Sequence, residues 1–367
     1  MATITKTIGT TARDYSTITL WEADLDNDTP YDAGDDAIGE CYADSDFGNG
    51  SADEAIVFNG GGTLGLNSIE LTVASADRHL GIAGNGVRIL LSGTSQYVAN
   101  IVTNIIIDWI EIDCNAQHNR TGFLIAPDIN VNLIHPMLHG SVVTSLYSNL
   151  WGIDVGSNLD ATVNIVRAIV YSLDASAYRS ATGIRSSTTD ASAQINFLNC
   201  TVHNIKAHPS DATRVGYCYE FKDYANRKIQ NCIGTDPTGT ANACYNVSAP
   251  VNSVVDHNLA SDTTASGAGS LNSKTSANQY ISTVVGSENL HLKTGADAID
   301  AGTDLVATPT GIEIDIDGLD INADSSNDPW DMGADEFVGA PPAGAIPLLV
   351  GGGMGQTMGS NCNLMTG

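Results

Sequence analysis

The motif NIIIDWI at residues 104–110 returns as NLIHPML at 132–138, NIVRAIV at 164–170 and NFLNCTV at 196–202, and KIQNCIG at 228–234 continues the series with lysine as its first residue. Successive first residues lie 28, 32, 32 and 32 positions apart. A helical solenoid would need apolar residues at helical spacing over about ten or more positions. These runs are shorter and rich in isoleucine and valine, so they indicate strands.

A second landmark recurs in phase with the first. It is a glycine before a bulky residue, and it follows each leading asparagine after 18 to 20 residues: Gly122-Phe123, Gly152-Ile153, Gly183-Ile184 and Gly216-Tyr217. A period of about 30 residues with two strands suits one coil of a β-helix, in which equivalent residues stack about 4.8 Å apart. The repeated glycine marks either a turn with positive φ or a close approach of two segments. The pattern predicts an all-β, single-stranded right-handed parallel β-helix.

The register of the motifs predicts which residues stack on one another. The apolar residues that follow the leaders should form one interior column, made of Ile105, Leu133, Ile165, Phe197 and Ile229. The leaders should form a ladder of hydrogen-bonded side-chain amides at a turn, made of Asn104, Asn132, Asn164 and Asn196.

Two pairs of cysteines fall into the same register. Cys200 and Cys232 each lie four residues after their leaders, and Cys218 aligns with Cys244 if the last coil is shorter. We expect both pairs to stack as small buried side chains, with a disulfide or a metal site as the alternative. Seven cysteines without a CxxC pair do not form a disulfide framework, which favours synthesis in a reducing compartment.

The segment before the repeat predicts a cap for the open first coil. Thr19 and Glu22 have the spacing of a capping box on a short amphipathic helix. Such a helix would cover unpaired strand edges that otherwise invite aggregation. The chain then divides into an N-terminal cap at 1–54, coils at 55–288, a closing segment at 289–337 and an extended C-terminal tail at 338–367.

The closing segment contains three short motifs in a specific order. NLHLKTGADAIDAGTDL starts at residue 289, DIDG follows at 315–318, and WDMGADEF follows at 330–337. Their order and spacing resemble the segment that ends the helix in right-handed parallel β-helix proteins of the pectate-lyase-like superfamily, including phage decoration and spike proteins. The resemblance implies the fold. It does not select an activity, because lyases, adhesins and phage spikes share that fold.

The charge of the chain excludes two classes of partner. The formal net charge is −27, from 42 acidic and 15 basic residues, and it repels phosphate backbones and anionic membranes. No stretch approaches the roughly 18 apolar residues of a membrane span, and the first residues lack a signal-peptide pattern. We therefore expect no nucleic-acid partner, no membrane insertion and no Sec-dependent export.

Acidic residues alternate with isoleucines in part of the closing segment. Asp315, Asp317, Asp320 and Asp324 supply oxygen ligands of the kind that Ca²⁺ prefers, with Gly318 among them. A strand with one buried and one wet face explains the same alternation. Apart from this possible Ca²⁺ site, we expect no cofactor.

No motif identifies a catalytic centre. Arg167, Arg185, Asp113 and Asp154 have the residue types that a polysaccharide lyase or hydrolase uses, and all four could lie on outward faces of adjacent coils. Their default interpretation is solvated surface charge. The eight histidines show no metal-binding spacing, and there is no GxSxG motif or P-loop.

The tail contains no charged residue and is rich in glycine. Alone it cannot bury enough apolar surface to offset the loss of backbone entropy, so it should order only against a partner. We expect it to bind a capsid or tail protein or a neighbouring protomer, and a disordered terminus is the alternative. The expected anchors are Leu348, Leu349, Val350 and Met354.

These expectations combine into one function with two alternatives. The leading hypothesis is a structural protein of a bacteriophage virion, a head decoration or short spike, made in the host cytoplasm and exposed on the virion surface as a homotrimer. One alternative is a carbohydrate-active β-helix enzyme, a depolymerase or lyase that acts on a host glycan. The other is a non-viral surface adhesin.

Overall fold

The computed structural model divides the chain into two compact units, residues 1–337 and residues 338–367. Of the second unit only Val338 is described. The described residues are 1–27, 29–44, 46–48, 56–90, 97–114, 121–140, 149–156, 161–175, 179–188, 192–209, 211, 213–221, 226–247, 253–306, 309–321 and 329–338.

Three parallel sheets form the walls of the first unit, and each full coil visits sheets A, B and C in that order. The strands of sheet A are Thr3–Ile8, Asp36–Cys41, Ser68–Val73, Ile105–Asp108, Val131–Ile134, Thr162–Val166, Gln194–Leu198, Arg227–Gln230 and Val254–Asp256. Those of sheet B are Arg88–Leu90, Glu111–Asp113, Met137–His139, Ile169–Asp174, Thr201–Lys206, Ile233–Thr235 and Leu259–Ala260. Those of sheet C are Ile56–Phe58, Tyr97–Ile101, Thr121–Ile125, Leu150–Val155, Ala181–Ser186, Val215–Phe221 and Ala241–Val247. The predicted all-β parallel β-helix is confirmed.

The remaining elements are short. An antiparallel hairpin, defined by Tyr280–Ser282 and Asn289–Leu292, follows the coils. The helices are α1 (Ile18–Asp24), a 3₁₀ turn (Ser75–Asp77) and α2 (Ser276–Gln279).

The interior column is confirmed from Leu133 onward. Leu133 pairs with Ile165, and Phe197 pairs with both Ile165 and Ile229. Ile105 is two positions out of register, because it pairs with Val131. A shift of two keeps a side chain on the same face of a strand, and Ile105 is still buried.

The asparagine ladder is confirmed for three of its four members. Asn164 Nδ2 donates to Asn132 Oδ1 at 2.7 Å, and Asn196 Nδ2 donates to Asn164 Oδ1 at 2.7 Å. The prediction was wrong for Asn104, whose Oδ1 accepts instead from the backbone N–H of Asn130, 26 residues later. It was also wrong about the turn, because these three asparagines lie within strands of sheet A.

The recurring glycines lie within strands of sheet C, where two chain segments approach closely. A Cβ built on Gly152 would lie 2.4 Å from the carbonyl oxygen of Gly183, so no larger residue fits there. Gly216 does not continue this column, because it pairs with Ala181. Cys218 takes the place after Gly183, since its neighbours pair with the neighbours of Gly183.

Cys41, Cys200, Cys218, Cys232 and Cys244 are buried thiols that form no disulfide with one another. Cys200 and Cys232 occupy equivalent places in neighbouring coils, and their Sγ atoms contact the carbonyl oxygens of Ile165 and Phe197 at 3.3 and 3.4 Å. Burial raises the pKa of the Cys232 thiol well above its usual range. The stacked small side chains are therefore confirmed.

The capping helix α1 begins two residues earlier than the capping-box spacing predicted. Thr17, not Thr19, is the N-cap of α1, and its hydroxyl accepts from the N–H of Leu20 at 3.1 Å. Glu22 instead accepts from the backbone N–H of Asn59 at 2.6 Å and so ties the helix to the coils. The strand Thr3–Ile8 already pairs into sheet A, so stacking begins well before residue 55.

One corner of the coil, between sheets A and B, repeats an unusual backbone conformation. Its residues have φ between 48° and 61°, a left-handed conformation that asparagine and histidine tolerate better than most residues. We call this set the corner column: Trp109, His135, Arg167, Asn199, Asn231 and His257.

Candidate functional site

Residues 298–306, 309–321 and 329–337 of the first unit lie along the corner column, and together we call them the strap. Asn231 Nδ2 donates to the carbonyl oxygen of Thr303 at 2.8 Å, and the N–H of Thr303 donates back to Asn231 Oδ1 at 2.8 Å. One coil earlier, Asn199 Nδ2 donates to the carbonyl oxygen of Asp331 at 3.1 Å. The strap therefore fastens neighbouring coils from the side.

Two further corner residues extend these contacts toward the N-terminus. Arg167 donates from Nε to the carbonyl oxygen of Ile312 at 2.8 Å and from Nη1 to that of Ala334 at 3.0 Å. His135 Nε2 donates to the carbonyl oxygen of Ile314 at 2.7 Å. The strap thus contacts four successive coils, whereas the resemblance implied a segment that only ends the helix.

Arg167 is the central charged residue of this contact. Its side chain is 0% exposed, so the interpretation of Arg167 as solvated surface charge was wrong. Nη2 lies 3.8 Å from Glu336 Oε2, and the guanidinium lies 5.7 Å from the Trp330 ring. Burial raises the pKa of Glu336 to about 8 and lowers that of Arg167, and their mutual attraction opposes both shifts. Removal of either partner would leave the other buried without its counterpart, which is strongly destabilising.

Arg185 and Asp154, which the sequence also suggested for catalysis, form an ion pair on sheet C. Arg185 Nε lies 2.6 Å from Asp154 Oδ1, and the guanidinium stacks 3.5 Å from the centre of the Trp151 ring. The pair joins two neighbouring coils. The structure does not bring it together with Arg167 or Asp113, which belong to the corner column and to sheet B.

A cavity of about 420 Å³ lies between sheet B and the loop at 285–288. His139 and Tyr171 stack in it with ring centres 5.2 Å apart, and His139 Nε2 lies 2.8 Å from Glu111 Oε1. The titratable side chains that line the cavity are Asp113, His139, Tyr171, Asp174, Lys206 and Glu288.

The charges of this cavity are paired along the rod. Asp113 Oδ2 lies 3.1 Å from Arg88 Nη1 of the preceding coil. Lys206 Nζ lies 3.8 Å from Asp174 Oδ2, again one coil apart. Glu288 accepts a hydrogen bond from the Ser172 hydroxyl. These contacts give three carboxylates of the cavity a partner.

Two of the residues predicted to bind Ca²⁺, Asp315 and Asp320, lie at a tight turn of the strap. Asp315 Oδ1 accepts from the N–H groups of Asp317 and Leu319 at 2.9 and 2.8 Å, so it stabilises a tight turn. Asp320 forms a bridge with Ile314 across that turn, and Asp324 lies outside the described residues.

Asp317 lies instead in a cluster with two residues that the sequence prediction did not include. Its Oδ1 is 3.0 Å from His291 Nε2, and a carboxylate oxygen of Asp335 completes a group whose ligand atoms lie within 4.8 Å of one another. Burial raises the pKa of Asp335 to about 7. The signal was present in the NLHLK and GADE motifs of the closing segment, but their separation along the chain hid the contact.

The expected anchors of the tail, Leu348, Leu349, Val350 and Met354, lie outside the described residues. No helix among the described residues is long and apolar enough to cross a membrane. No model of a protein family, no curated protein and no solved structure matches the chain.

Proposed function

We propose that the chain is a structural protein of a bacteriophage virion, a head decoration or short spike that is anchored through its tail to a capsid or tail protein. The observation that carries the proposal is the strap, which uses a buried arginine and two asparagines to fasten successive coils. These contacts strengthen a rod along its length. They also engage the guanidinium of Arg167 in holding the coils together.

Two further observations support this proposal over an enzyme. The charged groups around the sheet B cavity are paired with their neighbours, and the stacked cysteines Cys200 and Cys232 pack as small buried side chains. The strongly acidic composition keeps an exposed rod soluble and away from nucleic acid.

The tail anchor is tested by incorporation into particles. Deletion of the chain after Phe337 should leave the rod folded and prevent its incorporation. A triple substitution of Leu348, Leu349 and Val350 by serine should have the same effect, whereas substitution of the adjacent Gly351, Gly352 and Gly353 by serine is the matched control. If the truncated rod decorates particles as well as the full chain, the tail is not the anchor.

A homotrimer is part of the same proposal. A single β-helix buries its interior but leaves long flat sides, and rods of this kind associate about a threefold axis. Analytical ultracentrifugation at micromolar concentration should give the mass of three chains. A monomer both in solution and on the particle would contradict the trimer.

The sheet B cavity favours a second candidate, a glycan-binding site in a carbohydrate-active enzyme or an adhesin. Its stacked rings and hydrogen-bonding groups are the features that hold a sugar. Incubation with surface polysaccharide of the host should then release reducing ends if the chain is a depolymerase. Binding without release would indicate an adhesin. If the chain neither binds nor cleaves the polysaccharide, only the structural function remains.

A further inference from the structure

Three separate segments meet around His291. This residue lies in the hairpin strand Asn289–Leu292, Asp317 lies in the tight turn of the strap, and Asp335 lies near the end of the strap. Their ligand atoms lie within 4.8 Å of one another, close enough for one ion to reach all three with small side-chain movements. One imidazole nitrogen and two carboxylate oxygens form a ligand set that zinc accepts.

The neighbours of these residues orient them as the neighbours of metal ligands do. His291 Nδ1 lies 2.6 Å from Asn289 Oδ1, and this hydrogen bond places a proton on Nδ1 and turns Nε2 toward Asp317. Asp335 Oδ2 accepts from the N–H of Leu292 at 2.6 Å, which holds a side chain that is only 4% exposed. A hydrogen bond from the second ring nitrogen to a fixed acceptor is the usual support of a metal-bound histidine.

A second, independent observation comes from Asp315. Its side chain is 0% exposed, and Oδ2 accepts no hydrogen bond from any residue that the structure describes. The charge of Asp315 acts on His291 and Asp335, and also on the buried guanidinium of Arg167. The carboxylates of Asp315, Asp317 and Asp335, with those of Asp331 and Glu336, outnumber this guanidinium and the one imidazole. An excess of negative charge with an unsatisfied buried oxygen calls for a cation.

We propose that His291, Asp317 and Asp335 bind one Zn²⁺ ion, with Asp315 as a fourth acidic group beside it. The imidazole distinguishes this site from the all-oxygen Ca²⁺ loop that the sequence suggested, because Ca²⁺ prefers oxygen ligands alone. The ion joins the hairpin to the strap and so locks the strap against the rod. The site is structural, and its position is independent of the proposed virion function.

Zinc affinity tests the site on the full-length, untagged chain after treatment with a chelator. Titration of Zn²⁺ against a competing chromophoric chelator should show one tight site per chain. His291→Gln and Asp317→Asn should each weaken that affinity by at least 10-fold. Asp317 is the sharper variant, because its side chain is partly exposed and its loss leaves the buried turn intact. His257→Gln, a histidine beside Asp256 but outside the cluster, is the matched control and should bind as the wild type does.

Asn289 provides a test that a role in folding alone would not satisfy. Asn289→Ala removes the acceptor of the His291 Nδ1 proton and of the His291 backbone N–H, and loss of such a partner weakens metal binding about 10–100-fold. Zn²⁺ should also raise the melting temperature of the wild type and leave that of Asp317→Asn unchanged. The proposal is overturned if the wild type binds no Zn²⁺ at near-neutral pH, if it binds Ca²⁺ in preference, or if Asp317→Asn binds Zn²⁺ as tightly as the wild type.

Discussion

Arg167 donates from Nε to the carbonyl oxygen of Ile312 at 2.8 Å, across 145 residues of sequence. The guanidinium is fully buried between the corner of the coil and the strap, and it reaches Ala334 with a second nitrogen. A residue of one coil thereby holds both the middle and the end of the strap.

Arg167→Ala should be among the most destabilising single changes in the chain. It removes the donor to the carbonyl oxygens of Ile312 and Ala334 and the cation beside the Glu336 carboxylate, and breaking a buried pair on one side costs about 3–5 kcal/mol. Urea unfolding gives the change in free energy, and hydrogen exchange should show faster exchange across the strap. Arg214→Ala, which removes an arginine whose side chain is 29% exposed and pairs with Asp211, is the control. Equal, small effects of both substitutions would contradict the role of Arg167.

Phe197→Ala tests the interior column. Phe197 is 0% exposed and stacks on Phe221 with ring centres 4.5 Å apart, so its removal leaves a cavity that costs about 3–5 kcal/mol. Ile281→Ala is the control, because that side chain is 59% exposed. Chemical denaturation measures both variants, and a loss below about 1 kcal/mol at Phe197 would place this side chain outside the core.

Asn164→Ala tests the ladder at its middle member, which donates to Asn132 and accepts from Asn196. Its loss leaves both neighbours with an unmatched amide group and should lower the free energy of unfolding by about 1–3 kcal/mol. Asn104→Ala should cost less, because Asn104 is exposed and outside the ladder. The reverse order of the two effects would mean that the ladder begins at Asn104.

His79 should make the stability depend on pH in mildly acidic solution. Burial lowers its pKa from 6.5 to about 4, and the neutral ring donates from Nε2 to the carbonyl oxygen of His135 at 2.8 Å while Nδ1 accepts from the N–H of Gly81 at 3.0 Å. Between these two pH values the unfolded chain binds a proton that the folded chain does not. The stabilisation is therefore complete above pH 6.5 and is lost as the pH falls toward 4.

The shift of His79 corresponds to at most about 3 kcal/mol. His79→Gln keeps a donor for His135 but cannot titrate, so its unfolding free energy should fall less steeply than that of the wild type from pH 6.5 to 4. The acidic groups that titrate elsewhere are common to both proteins and cancel in the comparison. Parallel curves would show that His79 is accessible to protons in the folded state.

The sequence predicted the coils well because their period is local. Leu133, Ile165, Phe197 and Ile229 each follow a leader by one residue, and each coil repeats the one before it, so one alignment predicted three steps of the register. Asn104 was misplaced because the step from its coil to the next is 26 residues, two fewer than the spacing of the motifs. A column on a strand survives such an error, since a shift of two preserves its face, but a ladder does not.

The repeat pattern of the sequence could not predict the strap or the proposed zinc site. The contacts of Arg167 with Ala334 and of His135 with Ile314 join residues 167 and 179 positions apart, and nothing in the local pattern indicates them. The available signal was Arg167, an arginine within an apolar motif. Its side chain was predicted to face outward, although its left-handed backbone at the corner turns it under the strap.

We propose that this rod is a structural part of a virion. Quantitative mass spectrometry of purified native particles, combined with cryo-electron microscopy of the same sample, tests this proposal. We expect the full-length chain in the particles at a copy number divisible by three, in short rods that project from the surface. Particles that lack the chain, with all of it recovered in the soluble fraction, would contradict the claim.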